Sequence, residues 1–236
     1  MTSKDSTNDR SIAHLVERQM RSWELGRSQS SADVRSREGE VFDFISISHS
    51  ARLPTAEIAS RLGEELGWPV FDRQILQEMA GNDKHREQVY GCMDQRDLSW
   101  LEEVLHGFAE DGFGRNDYVH NLVKTVLAIA RRCHVIFVGH ATDLILPKDR
   151  GLRVRVIATR ERCAHIHAEV RGITVDQAAK EVAELEHERA QFVRRHFHVD
   201  INEPTRHDLI VNLERFSTDG ALALILAALR ARGITD

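Results

Sequence analysis

The sequence has few cysteines and no long apolar segment near its start. Cys92, Cys133 and Cys163 lie far apart and form neither a metal-ligand spacing nor an even disulfide set. This usage is typical of a reducing compartment, so we predict a cytoplasmic protein. The first 38 residues are polar and lack the apolar core of a signal peptide or membrane span. We therefore expect no association with a membrane.

The sequence also has no excess of basic residues over acidic ones. Lysine and arginine number 32 against 37 aspartates and glutamates, which gives a net charge of -5 and a pI near 6.2. Such a balance does not favour a nucleic-acid partner. Histidines are numerous, but His165 and His167, like His196 and His198, are two residues apart and would point to different sides of a helix. We predict no specific metal site.

Apolar segments alternate with amphipathic ones along most of the 236 residues. The segments around Ile45–Ile47, Val70–Phe71, Val135–Gly139, Leu152–Ala158 and Asp208–Asn212 are typical of strands, and helical periodicity lies between them. The segment Val135–Gly139 is apolar on both faces, which favours the middle of a covered parallel sheet. The pattern predicts an α/β domain with a mostly parallel sheet of about five strands and helices on both faces.

The N-terminal stretch, residues 1–38, is predicted to be an extension of a domain that covers 39–236. Ile12, Leu15, Val16 and Met20 recur at helical spacing and predict a short helix, whereas the charged, serine-rich run from residue 27 to 40 is typical of a linker. The extension either docks on the domain without further role or binds a partner. A second apolar face, on Trp100, Val104 and Phe108, either packs on the core or serves a dimer or lid contact.

The turn between the first strand and the following helix has no glycine, although this is where phosphate-binding α/β folds place a glycine-rich loop. Such loops point successive backbone N–H groups at an anion. Here the turn contains Arg52, Leu53, Pro54 and Thr55, and Pro54 has no N–H to donate. His49 or Arg52 could supply charge by side chain, and Thr55 could supply a hydroxyl.

Several strings of residues resemble the cytidylate kinase-like family over roughly Val41 to Arg232. The order of elements and the Leu-Gly-x-Pro-x-x-Asp-Arg stretch carry the resemblance, through the segments Ile45–Ser48, Glu57–Leu76, Val138–Ala141 and Asp208–Asn212. The family implies a three-layer P-loop nucleoside monophosphate kinase fold. It also implies transfer of a phosphoryl group from ATP to CMP or dCMP with Mg²⁺.

The resemblance also implies roles for individual residues. Asp72, Arg73, Gly139 and His140 would lie at the acceptor nucleotide, and His140 stands where the family has an arginine. A histidine replaces that charge only when protonated. The helical stretch over about 176–200 resembles the family's lid, whose catalytic arginines would be Arg189, Arg194 and Arg195. His49, Arg52 and Thr55 belong to the degenerate phosphate loop.

Each role has a structural alternative. Asp72 is a favoured helix N-cap residue and could equally pair with Arg73. The three arginines share a helix with Glu181, Glu184, Glu186 and Glu188, so ion pairs in solvent would also explain them. His140 could be a packed histidine.

Two hypotheses of function follow. In the first, the protein is a cytidylate kinase-like enzyme whose phosphoryl transfer is impaired by the altered loop. In the second, it is an inactive pseudokinase that binds a nucleotide or a protein as a regulatory module. Another small anion held by side chains alone is a third, weaker possibility, and a homodimer is compatible with all three.

Overall fold

A computed structural model describes the backbone of residues 3–34, 41–110 and 117–235, and the side chains of residues 12–28, 41–107 and 117–235. The elements, in chain order, are α1 Ser3–Val34, β1 Phe44–His49, α2 Thr55–Leu66, β2 Val70–Phe71, α3 Arg73–Gly81, α4 Asp83–Tyr90, α5 Gln95–Glu110, α6 Asp117–Ala130, β3 Val135–Val138, α7 Thr142–Ile145, β4 Leu152–Ile157, α8 Arg160–Arg171, α9 Val175–Phe197, β5 Leu209–Asn212 and α10 Thr218–Ala231. A 3₁₀ turn, Pro204–Arg206, precedes β5.

The five strands form one sheet in the order β2-β3-β1-β4-β5, and every pairing is parallel. The predicted α/β class, strand number and strand direction are thus confirmed. Alternate residues of a strand face opposite sides of the sheet, and β3 shows the consequence directly. Val135 and Phe137 pack in one apolar cluster, whereas Ile136 and Val138 pack in another on the opposite face.

Helices cover both faces and complete three layers. The first cluster joins the sheet to α1, α3, α5 and α6, and the second joins it to α2 and α10. Local capping signals set several helix starts, because Thr159 accepts a hydrogen bond from the N–H of Arg162 and Ser217 accepts one from the N–H of Gly220.

The N-terminal helix is longer than the short helix that its periodicity predicts. The linker-like run begins at Arg27, but α1 continues to Val34. Val16, Met20 and Trp23 are buried, and the Trp23 indole donates to the carbonyl of Ile129 at 3.2 Å. Burial on the domain holds this helix in place, which composition alone does not reveal. The division of the chain at residue 38 remains a prediction.

None of the helices in the described part of the chain combines the length and the apolar composition that crossing a membrane requires. Leu101, Leu105 and the partly buried Trp100 and Val104 of α5 pack against the first cluster. The side chain of Phe108, the third residue of the predicted face, lies outside the described residues.

Candidate functional site

A cavity of about 330 Å³ lies against the ends of β1, β2 and β3. Parallel sheets of this kind place ligands at the carboxyl ends of their strands. His49 ends β1, Arg73 follows β2, and Gly139 and His140 follow β3, so four of the predicted site residues meet here. Arg189 enters from α9, and its guanidinium donates to the carbonyl of His49 at 3.1 Å.

Arginines dominate the charge of this cavity. Arg73, Arg155, Arg189 and Arg206 line it, against the carboxylates of Asp143 and Glu188. Arg206 forms an ion pair with Asp143. In contrast, Arg73 and Arg155 have no ion pair or side-chain hydrogen bond within the described residues, so their charge is left for a ligand.

The pKa of Arg189 is lowered to about 10, chiefly by burial and then by the positive charges of Arg73, Arg155 and Arg52. Cations that destabilise one another in a partly buried site gain from an anion between them. The site is therefore prepared for a negatively charged group. A phosphate dianion suits it, because guanidinium groups bind phosphate with strong, directional hydrogen bonds.

Two histidines border the cavity without adding charge. Burial, followed by Arg189, lowers the pKa of His49 to about 3, and burial, followed by Arg73, lowers the pKa of His140 to about 4. Nε2 of His140 lies 3.1 Å from the carbonyl oxygen of Arg73. At neutral pH His140 is thus a neutral ring fixed by the backbone, and it does not replace the charge of an arginine.

The backbone beneath that ring is strained. Gly139, His140 and Ala141 have φ values of 79°, 54° and 55°, a left-handed run that costs non-glycine residues about 1–2 kcal/mol each. The run ends β3 and turns the chain into α7. Strain of this kind is often retained where a side chain must be aimed at a site.

The remaining predicted residues lie elsewhere. Asp72 accepts a hydrogen bond from the N–H of Ile75 and caps α3, as its structural alternative proposed, and it does not line the cavity. Arg194 and Arg195 are exposed in the last turn of α9, where basic side chains complement the helix dipole. The structure therefore brings Arg189 to the cavity, but not the other two arginines.

The turn before α2 is part of the apolar core. Ala51 and Leu53 are buried in the second cluster, and Arg52 is exposed with φ 65°. Thr55 is buried, its N–H donates to the carbonyl of Leu53 at 2.8 Å, and its hydroxyl faces the same carbonyl at 3.5 Å. This turn does not fit the phosphates of Mg²⁺–ATP as a glycine-rich loop would, because Pro54 has no N–H and the N–H of Thr55 is already bonded.

Sequence reasoning missed several residues of the cavity. The sequence pattern assigns no role to five residues that line it: Tyr118, Asp143, Arg155, Phe192 and Arg206. The alternation of Arg153 and Arg155 with buried valines was the available signal, since a charged residue pointing into a covered face requires a partner. No group of three or more His, Cys, Asp or Glu side chains in the described residues could hold a metal ion.

Comparison with known proteins identifies the family of the chain. The model of the cytidylate kinase-like family matches residues 44–215. The cytidylate kinase of Pyrococcus furiosus is 30% identical over 109 residues, which cover 42% of this chain and 52% of that protein. The cytidylate kinase of Thermococcus sibiricus is 27% identical over 100 residues, covering 42% and 51%. The chain thus spans about half the length of these relatives.

A solved structure shares the fold. An uncharacterized protein from Eubacterium ventriosum superposes with a TM-score of 0.56 at 11% identity, covering 80% of this chain and 98% of that one. Identity at this level supports the architecture alone. The family match, in contrast, covers β1 to β5 and includes most of the residues that line the cavity. The chain belongs to the cytidylate kinase-like family.

Proposed function

We propose that the cavity binds the phosphate of a nucleoside monophosphate, with CMP or dCMP as the substrate class. One observation carries this proposal: the guanidinium groups of Arg73 and Arg189 face one cavity without a carboxylate partner among the described residues. Membership in the family is the reason for proposing a nucleotide as the ligand, and the arginines are the groups that would recognise its phosphate.

Arg73 and Arg189 are the residues that we assign to this phosphate. Arg73 follows β2 beside Gly139 and His140, and Arg189 reaches the end of β1 from α9. In a phosphoryl transfer, guanidinium groups stabilise charge on the migrating group, and Arg189 is placed for that role. Arg194 and Arg195 would contribute only after a movement of α9, because both are exposed.

We further propose that transfer from ATP is impaired. Phosphoryl transfer depends on positioning and on preorganised donors around the phosphates, and loss of one such group commonly costs about 10²–10³ in rate. In the turn at Leu53–Thr55, the side chain of Leu53 packs in the core, Pro54 has no N–H, and the N–H of Thr55 donates to the carbonyl of Leu53. ATP and Mg²⁺ would be the co-substrate and cofactor of an active form.

A coupled assay for CDP production from CMP and ATP tests this proposal. Ordinary kinases turn over at about 1–100 s⁻¹, and we expect a kcat at least about 100-fold lower. Arg189→Met should remove the residual rate, whereas the matched substitution of the exposed Arg230 on α10 should preserve it. A kcat within the ordinary range would show that the altered loop still positions ATP.

The inactive regulatory module remains the second candidate, favoured by the burial of Ala51 and Leu53 in the loop. CMP binding without any CDP would support it. Its protein partner, like a homodimer and the cytoplasmic location, remains a prediction. The packing of Trp23 into the domain makes the described part of α1 an integral helix, so a partner would meet its exposed side, which carries Leu25.

A further inference from the structure

Two arginines on β4 are buried to a similar extent but differ in their hydrogen bonds. Arg153 and Arg155 are 6% and 8% exposed and point to the same face of the sheet. Arg153 donates to backbone carbonyls, including those of Leu146 at 2.9 Å and Arg150 at 3.0 Å, and its guanidinium lies over the Phe44 ring. Arg153 is thus fully used by the fold.

Arg155 has no such partners. It lines the cavity, and no hydrogen bond or ion pair connects its guanidinium to any described residue. Burial lowers its pKa, and the nearby charges that act on it are those of Asp143, Arg206 and Glu186. A buried guanidinium without partners is costly unless a ligand satisfies it.

Arg155 also lies on a different part of the sheet from Arg73, one of the two residues assigned to the acceptor phosphate. Arg73 follows β2, and Arg155 belongs to β4, with β3 and β1 between them. Three strand spacings of about 4.8 Å place their backbones about 14 Å apart. Arg189, bonded to the end of β1, lies between the two ends and can serve both.

Further polar groups accompany Arg155 at its end of the cavity. Ser48 is its registered neighbour on β1, and the Ser48 hydroxyl lies 3.0 Å from Nε2 of His207. Arg206 is held there by Asp143 and by a 2.7 Å hydrogen bond to the carbonyl of Asp200. Two guanidiniums and a hydroxyl therefore accompany the carboxylate of Asp143 at this end, and the charges of Glu186 and Arg189 also act here.

We propose that Arg155, with Ser48 and Arg206, forms a second anion subsite that holds a phosphate group at the same time as the acceptor phosphate lies at Arg73. This subsite uses side chains, whereas a phosphate loop uses the backbone N–H groups of a glycine-rich turn, which the loop before α2 does not have. The chemistry suits a phosphate dianion, either free or as the end of a nucleoside triphosphate. The proposal depends on the proposed nucleotide site only for what occupies the Arg73 end.

Calorimetric titration with pyrophosphate, at increasing fixed concentrations of CMP, tests the proposal. If the subsites are separate, the apparent Kd for pyrophosphate levels off as CMP saturates the protein. A Kd that rises in proportion to CMP would show a single shared site and overturn the proposal, as would failure of pyrophosphate to bind. A parallel titration with Mg²⁺–ATP shows whether the phosphate source is a triphosphate or free pyrophosphate.

Two variants assign the subsite to its residue. Arg155→Met should weaken pyrophosphate binding at least about tenfold and leave CMP binding within about threefold, and Arg155→Lys should restore part of the affinity. The exposed Arg230→Met is the matched control. Unchanged pyrophosphate binding in a folded Arg155→Met protein would overturn the proposal. If this variant does not fold, the competition in the natural protein decides.

Failure of the subsite and failure of the proposed function give different results. Pyrophosphate binding that Arg155→Met abolishes, with no CMP binding, would support the subsite and refute the nucleotide site. CMP binding without pyrophosphate binding would support the nucleotide site and refute the subsite.

Discussion

The environment of single side chains decides which charges the cavity presents. Four arginines surround it, while the neighbouring His49 and His140 are neutral at physiological pH because burial and the arginines lower their pKa values to about 3 and about 4. We therefore assign the proposed phosphate binding to the arginines and not to the histidines. Protonation of His140 is unfavourable because its ring is buried and lies near the positive charge of Arg73.

The two histidines should make stability depend on pH in the acidic range. The ordinary pKa of a histidine is near 6.5, so below this pH the two side chains bind protons in the unfolded chain but not in the folded one. The free energy of unfolding therefore falls as the pH drops from about 6.5 towards 4. Each histidine contributes up to about 1.4 kcal/mol per pH unit in this window. Urea unfolding between pH 7 and pH 4.5 measures the effect.

Carboxylates also titrate in this range, so the comparison must be made with a His49→Gln, His140→Gln variant. We expect the natural protein to lose stability more steeply than this variant below pH 6.5. Parallel curves for the two proteins would show that the folded state accommodates charged histidines.

Residue chemistry was only partly accessible from the sequence. The resemblance identified Arg73, Gly139, His140 and Arg189, and all four line the cavity. The resemblance did not identify Arg155, because Arg153 and Arg155 occupy equivalent positions in the alternating pattern of the strand. Only the positions of the surrounding carbonyls show that one is satisfied and the other is not.

At the scale of elements, strand periodicity and order were sufficient to predict the fold. Each of the five predicted strands is found, because apolar runs between amphipathic helices leave few alternatives to a covered parallel sheet. The extent of α1 could not be predicted in this way. Its polar composition resembles a linker, and its stability comes from tertiary burial of a few side chains.

The role of α1 gives a prediction at this scale. Trp23 is fully buried and hydrogen-bonded to Ile129, so Trp23→Ala should lower the free energy of unfolding by about 3–5 kcal/mol. Leu25, on the same helix, is 64% exposed, and Leu25→Ala should change it by less than about 0.5 kcal/mol. Urea denaturation compares the two.

Equal and small effects of the two substitutions would mean that α1 does not contribute to the stability of the domain. The chain would then behave as the sequence suggests, with an extension whose packing is incidental to the fold.

The whole molecule has the architecture of a nucleotide kinase, but the turn in the position of the phosphate loop has no glycine. The sheet still delivers Arg73, Gly139 and Arg189 to one cavity, while the turn before α2 contributes Ala51 and Leu53 to the core. On the proposed function, binding and turnover should therefore be separable in this protein. We expect phosphate recognition by side chains to survive, and transfer from ATP to be slow.

Calorimetric titration with CMP, compared with cytidine, tests the central claim most directly. The two ligands differ only in the phosphate, so their difference in affinity measures what the arginines contribute. We predict micromolar binding of CMP and at least about tenfold weaker binding of cytidine, with the difference lost in Arg189→Met. Equal affinities for CMP and cytidine, or no binding of CMP, would contradict the assignment of this cavity to a nucleotide phosphate.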